Sequence, residues 1–163
     1  MKLWIIGLLA LPFSLFATER VISIGGDVTE IVYALGAQQA LVARDSTSLQ
    51  PPQATALPNV GYMRQLNAEG MLAMKPTLVI ASMLSQPSLA LQQVEQAGVK
   101  VVTVTGKPEL NAIDEKITAI AAILGREKEG KALQAELDRQ LAAVPTNPLP
   151  VRVLFIMAHT GIT

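Results

Sequence analysis

A chain of 163 residues, half of them hydrophobic, with 4% aromatic residues and no net charge, can bury one core of ordinary size, which excludes a disordered or collagen-like class. Thirteen Lys and Arg balance thirteen Asp and Glu, with no basic cluster beyond pairs such as Arg126 and Lys128, so the electrostatic footprint of a nucleic-acid binder is missing and no nucleic acid is expected as partner. The absence of cysteine excludes a disulfide framework, a zinc–thiolate site and lipid attachment through an N-terminal cysteine.

Residues 1–17 read as a secretory signal peptide. Lys2 supplies the positive start, Leu3 to Phe16 is apolar apart from Gly7, Pro12 and Ser14, and Ala17 offers a small residue before Thr18-Glu19-Arg20. A membrane-spanning helix would need about 20 apolar residues without a central breaker, and Pro12 argues against it. The expected location is therefore the bacterial periplasm.

Val21 to Ile24 is a short β-branched run ending at Gly25-Gly26, and Asp27-Val28-Thr29-Glu30 offers an N-cap acid with a Glu three residues on. The predicted helix buries Val28, Ile31, Val32 and Leu35 and ends at Gly36 in a left-handed cap, after which Leu41-Val42-Ala43 resumes as strand. From Asp45 to Gly61 no period is sustained, and a loop of this length inside a compact domain is usually functional. Asn67 caps a short helix through Met74, and Thr77 to Ala81 is a continuous apolar strand. Pro87 is expected in the first turn of a helix that turns Leu91, Val94 and Ala97 inward and ends at Gly98, before a strand over Val99 to Val104.

This alternation implies βαβ units, and strands apolar on both faces belong in a parallel sheet covered on two sides, so residues 18–110 are expected to form an N-terminal α/β lobe. Residues 111–144 follow as a helical segment divided at Gly125, with Ile113, Ile117, Ile120 and Leu124 on one stripe and Leu133, Leu137, Leu141 and Val144 on another. Its second helix, spanning about 25 Å, is long enough to run from one lobe toward another. Beyond Pro145, Pro148 and Pro150, a strand over Val151 to Met157 reads as the start of a second lobe, residues 145–163, cut short at Thr163. The fold class expected is thus α/β: an N-terminal lobe with a mostly parallel sheet, a long interlobe helix, and only the first strand of a truncated second lobe.

No dinucleotide fingerprint and no phosphate loop occurs, and a single histidine, His159, cannot make a triad or a multi-histidine metal site, so a binding protein is expected and not an enzyme. The informative stretch is Asn59-Val60-Gly61-Tyr62-Met63-Arg64-Gln65-Leu66. Tyr62, following Gly61 at the end of the long loop, is placed to project from the lobe's rim, and a phenolate oxygen is a hard anionic donor suited to ferric iron. Arg64 could pair a carboxylate through its planar fork. Equally open from residue types alone are a loop tyrosine with one backbone hydrogen bond and a solvated surface arginine. Tyr33, within a helix, reads as core or rim packing, and Met71 and Met74, at helical spacing, read as packing despite the temptation of thioether ligation alongside Met63 and Met83. His159 lies just past a predicted strand's carboxyl end, where ligands bind in open α/β sheets, and it is either a second ligand or a loop histidine.

Arg20-Val21-Ile22-Ser23-Ile24-Gly25-Gly26, then Thr29-Glu30-Ile31-Val32-Tyr33-Ala34-Leu35-Gly36, Leu57-Pro58-Asn59-Val60-Gly61 and Lys75-Pro76-Thr77-Leu78-Val79-Ile80-Ala81 resemble the periplasmic binding proteins for cobalamin, ferric siderophores and haem. Val60-Gly61-Tyr62-Met63-Arg64-Gln65-Leu66 with Glu69-Gly70 is similar to the haem-binding branch. The resemblance implies two lobes joined by a rigid long helix, with haem as the transported ligand in the cleft between them. It implies Tyr62 as iron ligand, Arg64 on a propionate, and His159, in a segment similar to the second lobe's first strand, as a further iron ligand. It also implies an ABC transporter permease with its ATPase as partners, and an outer-membrane haem receptor system upstream. The alternatives are a ferric-siderophore or cobalamin carrier, neither of which needs a tyrosine ligand, a scaffold for other proteins, and the first lobe of an unrelated two-lobed α/β enzyme.

Overall fold

The computed structural model describes residues 19–146, 150–152 and 154. Four parallel strands, β1 (Val21–Ile24), β2 (Leu41–Arg44), β5 (Leu78–Ser82) and β6 (Lys100–Val104), form one sheet in the order β2-β1-β5-β6. A separate antiparallel hairpin pairs β3 (Gly61–Tyr62) with β4 (Gln65–Leu66). The helices are α1 (Gly26–Ala34), α2 (Ala68–Ala73), α3 (Leu89–Gln96), α4 (Asn111–Ile123) and α5 (Glu127–Ala142).

Strand alternation explains the layers. Val21, Leu78 and Ile80 meet Val28, Val32, Leu35 and Ile120 from α1 and α4 on one side of the sheet. Ile22, Ile24, Val79 and Ala81 meet Val60, Met71, Leu91 and Val94 from the hairpin's base, α2 and α3 on the other. Both faces are covered, so β1 and β5 are buried end to end, and their mostly apolar sequences, with Ser23 and Ser82 as the polar members, are the signature of such a sheet. The α/β reading of this region is what the structure has.

Local details differ from expectation in instructive ways. Helix α1 starts two residues early, with Gly25 as N-cap and Asp27 in the first turn, and no capping box with Glu30 forms. Its first amides are satisfied from elsewhere in the chain: Gly25 N donates to Asp45 Oδ1 at 3.0 Å and Gly26 N to Thr47 Oγ1 at 3.1 Å. Asp27 pairs instead with Lys116 of α4. Pro87 precedes α3, whose N-cap is Ser88, accepting from Leu91 N at 3.2 Å, and Ala97 lies exposed because it follows the last turn. Gly36 ends α1 at φ +67°, Asn67 caps α2 through Gly70 N at 3.1 Å, and both match expectation.

Helices α4 and α5 run antiparallel. Gly130 abuts Ala121, and one turn on, Gln134 Nε2 donates to Thr118 Oγ1 at 3.0 Å and to Asp114 O at 3.1 Å on the preceding turns of α4. Of the apolar stripes expected here, Ile117 and Ile120 are buried and Leu124 and Leu133 pack on the core, while Ile113, Leu141 and Val144 are exposed. The far half of α5 has nothing to cover it among the described residues. Residues 1–17 and His159 lie outside the described residues; of the strand expected over Val151 to Met157, Val151, Arg152 and Leu154 are described, are exposed and belong to no strand.

Candidate functional site

Tyr62 stands on the tight hairpin 61–66, where Met63 and Arg64 make the turn. Gly61 has φ +108°, and a Cβ there would lie 2.7 Å from Gln65 O, so the close strand pairing requires glycine. Asn59 Oδ1 accepts from Gly61 N at 2.9 Å. The hairpin is then fastened to the end of β2: Ser46 N donates to Gly61 O at 2.8 Å, Val60 N to Arg44 O at 3.0 Å and Arg44 N to Pro58 O at 2.9 Å. Residues 45–60, expected as a structureless loop, are therefore closed at the neck and carry one tight turn over Pro52–Ala56.

The side chains of the hairpin divide cleanly. Met63 and Leu66 pack on the core formed with α2 and α3, whereas Tyr62 is 48% exposed and its hydroxyl makes no hydrogen bond among the described residues. Arg64 is likewise exposed, with no hydrogen bond or ion pair among the described residues. Tyr33 is half-buried against the first core cluster, as expected, and Met71 and Met74 pack on the second.

Chain direction places this hairpin at one end of the sheet. All four strands are parallel, so the segments following β1, β2, β5 and β6 leave from the same carboxyl edge, and Ser46 holds Gly61 there. Large apolar side chains are exposed in those segments: Leu49 after β2, and Met83 and Leu84 in the turn after β5. Leu84 also packs where Gly106 leaves β6, and Met83, Thr105, Gly106, Lys107 and Glu115 line an open groove beside it. The outgoing connections of β1 and β5 run in opposite directions across the sheet, so the switch point at which open α/β sheets bind ligands falls between these two strands. Leu49 and Leu84 escaped sequence reasoning; apolar residues inside otherwise polar segments just after strands were the available signal.

A broader groove between α1 and the segment 50–53, lined by Glu30, Tyr33, Gln38, Gln50 and Gln53, excludes Tyr62. No group of three or more His, Cys, Asp or Glu side chains is arranged to hold a metal among the described residues. No helix among the described residues is long and apolar enough to cross a membrane.

A family model for the periplasmic binding proteins matches residues 21–147, most of the chain. The chain belongs to the periplasmic binding protein family. Among relatives, the vitamin B12-binding protein of Vibrio cholerae is 30% identical over 158 residues, covering 95% of this chain and 56% of its own length. Among solved structures, the periplasmic heme-binding protein RhuT from Roseiflexus sp. RS-1 is 40% identical with a TM-score of 0.74, over 77% of this chain and 48% of that one. The periplasmic vitamin B12-binding protein BtuF of Vibrio cholerae is 31% identical with a TM-score of 0.67, over 76% and 48%. The chain thus spans about half the length of the relatives it matches. Membership in this family agrees with the sequence expectation of a binding protein.

Proposed function

We propose that the protein is a periplasmic solute-binding protein that carries haem to an ABC importer, with the phenolate oxygen of Tyr62 as an axial ligand to ferric iron. The observation that carries this reading is an exposed tyrosine at the carboxyl edge of the sheet whose hydroxyl is unengaged among the described residues, with Leu49, Met83 and Leu84 exposed in segments that leave the same edge. A porphyrin needs both: an apolar face for its ring and a donor for its metal. Arg64, on the same turn, supplies the cation for a propionate. His159 is proposed as a second ligand contributed from beyond α5, and the permease with its ATPase, fed by an outer-membrane receptor system, as the partners. Export through residues 1–17 belongs to the same reading.

The higher identity to the heme-binding neighbour than to the vitamin B12-binding one supports haem as the ligand. The second reading, a cobalamin carrier, is favoured by the names of the curated relatives. The two differ in what they ask of Tyr62, because cobalamin brings its own lower base and leaves no iron for a phenolate.

The deciding experiment is a titration of the full-length protein with hemin, followed by visible spectroscopy, beside the Tyr62→Phe variant and beside cyanocobalamin. Wild type is expected to show a saturable shift with a phenolate-to-iron charge-transfer band, and Tyr62→Phe to lose the band and at least about tenfold in affinity. Arg64→Ala is expected to keep the band while weakening binding. A Tyr62→Phe spectrum identical to wild type, or saturable binding of cyanocobalamin in place of hemin, would sink the haem reading.

A further inference from the structure

One buried acidic side chain in the first lobe has no cation as partner among the described residues. Asp45, the residue after β2, is fully buried and has no ion pair among the described residues. Burying a carboxylate without a cation is expensive unless several donors replace its water. Here there are four. Oδ1 accepts from Gly25 N at 3.0 Å and from Ser48 Oγ at 2.7 Å; Oδ2 accepts from Thr47 N at 3.0 Å and from Thr47 Oγ1 at 2.6 Å. Neighbouring Arg44 turns its guanidinium to main-chain oxygens instead, reaching Asp45 O at 3.0 Å and Thr55 O at 3.3 Å.

Two of these contacts reach the start of α1, directly at Gly25 and through Thr47 at Gly26. Ser48 Oγ continues to Thr29 Oγ1 at 2.7 Å, and that hydroxyl to Ser23 Oγ at 2.7 Å, so the network ends inside β1. On its other side, the same few residues hold the hairpin: Arg44 is bridged to Val60 and Pro58, and Ser46 N holds Gly61 O. Asp45 is therefore the point where the segment carrying Tyr62 is fixed to the centre of the sheet.

We propose that Asp45 is a positioning residue for Tyr62: its carboxylate clamps residues 45–48 to the first turn of α1, and that clamp sets the place of the hairpin that presents the phenol. This inference rests on the assignment of Tyr62 as ligand. It goes further, because it assigns a role to a residue that never reaches the bound molecule.

The substitution that isolates the effect is Asp45→Asn. The amide keeps one acceptor for Gly25 N and Ser48 Oγ but turns an N–H₂ toward the amide of Thr47, opposing donor to donor. Ser23→Ala serves as the control, since it removes a buried hydroxyl at the far end of the network that bonds Thr29 and none of residues 44–48, and it leaves the main-chain bond from Asp45 N to Ser23 O in place. Both variants are compared in the full-length protein by thermal unfolding, by amide hydrogen exchange without ligand, and by the hemin titration. Asp45→Asn is expected to raise exchange at Ser46 and Val60, to shift or broaden the charge-transfer band, and to weaken hemin binding about 10- to 100-fold. Ser23→Ala is expected to lower thermal stability while leaving all three unchanged.

Wild-type exchange rates at Ser46 and Val60 in Asp45→Asn would overturn the proposal whatever the protein carries. So would an unaltered band and affinity in a protein whose Tyr62→Phe variant loses both, and so would equal changes in the two variants. If Tyr62→Phe matches wild type, the haem reading fails on its own, and the exchange measurement still decides whether Asp45 holds the hairpin.

Discussion

Gly61 concentrates several demands on one position. Its φ of +108° and the 2.7 Å that would separate a Cβ from Gln65 O leave no room for a side chain, while its carbonyl anchors the hairpin to Ser46. Gly61→Ala is therefore expected to distort the hairpin locally, weakening hemin binding about tenfold or more while shifting the unfolding midpoint by only a few degrees, as titration and thermal melts on one preparation would show. The exposure of Tyr62 was legible in the sequence because Gly61-Tyr62 stands at the end of a segment with no helical or strand period. The clamp at Asp45 was not. An acid followed by Ser, Thr and Ser reads as loop polarity, and its real partners, Gly25 and Thr29, become neighbours only once β1 and β2 lie side by side. The same limit misplaced Asp27: a local capping rule was applied to a helix whose first amides are satisfied from a distant segment.

Among the elements, the contact of α4 with α5 is set by small residues. Gly130 is buried, and an added Cβ would lie 2.7 Å from Ala121 Cβ and 3.8 Å from Ile117 Cγ2. A larger residue must push the helices apart, so Gly130→Val is expected to destabilise the protein by about 1–3 kcal/mol in urea unfolding, despite the better strand and helix packing that a side chain ordinarily brings. Strands and helices were mostly recoverable from periodicity, since β1 and β5 are mostly apolar and α1 repeats every third or fourth residue. The hairpin was not recoverable. Two paired residues per strand carry no period, and the pairing depends on hydrogen bonds to residues 44–46. Ala97 was misjudged for a related reason, because the helical stripe was extended one residue past the turn where Gly98 reverses the chain.

At the scale of the whole molecule, apolar residues fall into two energetic classes. Ile80 is fully buried in the central strand β5, and Ile80→Ala is expected to cost about 2–5 kcal/mol in urea unfolding. Leu141 lies 42% exposed on the uncovered half of α5, and Leu141→Ser in this chain is expected to change stability by no more than about 0.5 kcal/mol. Layering and sheet direction could be read from composition and alternation; the strand order could not, because it depends on which crossovers bring β5 beside β1. That order has a consequence for biosynthesis. β1, the earliest strand among the described residues, sits inside the sheet, and Arg20 at its base bonds Thr77, 57 positions later, at 3.0 Å. A chain emerging amino end first cannot complete the pairing of β1 until β5 has also emerged, so early segments stay open while later ones are still being made, a state compatible with threading through a secretion channel.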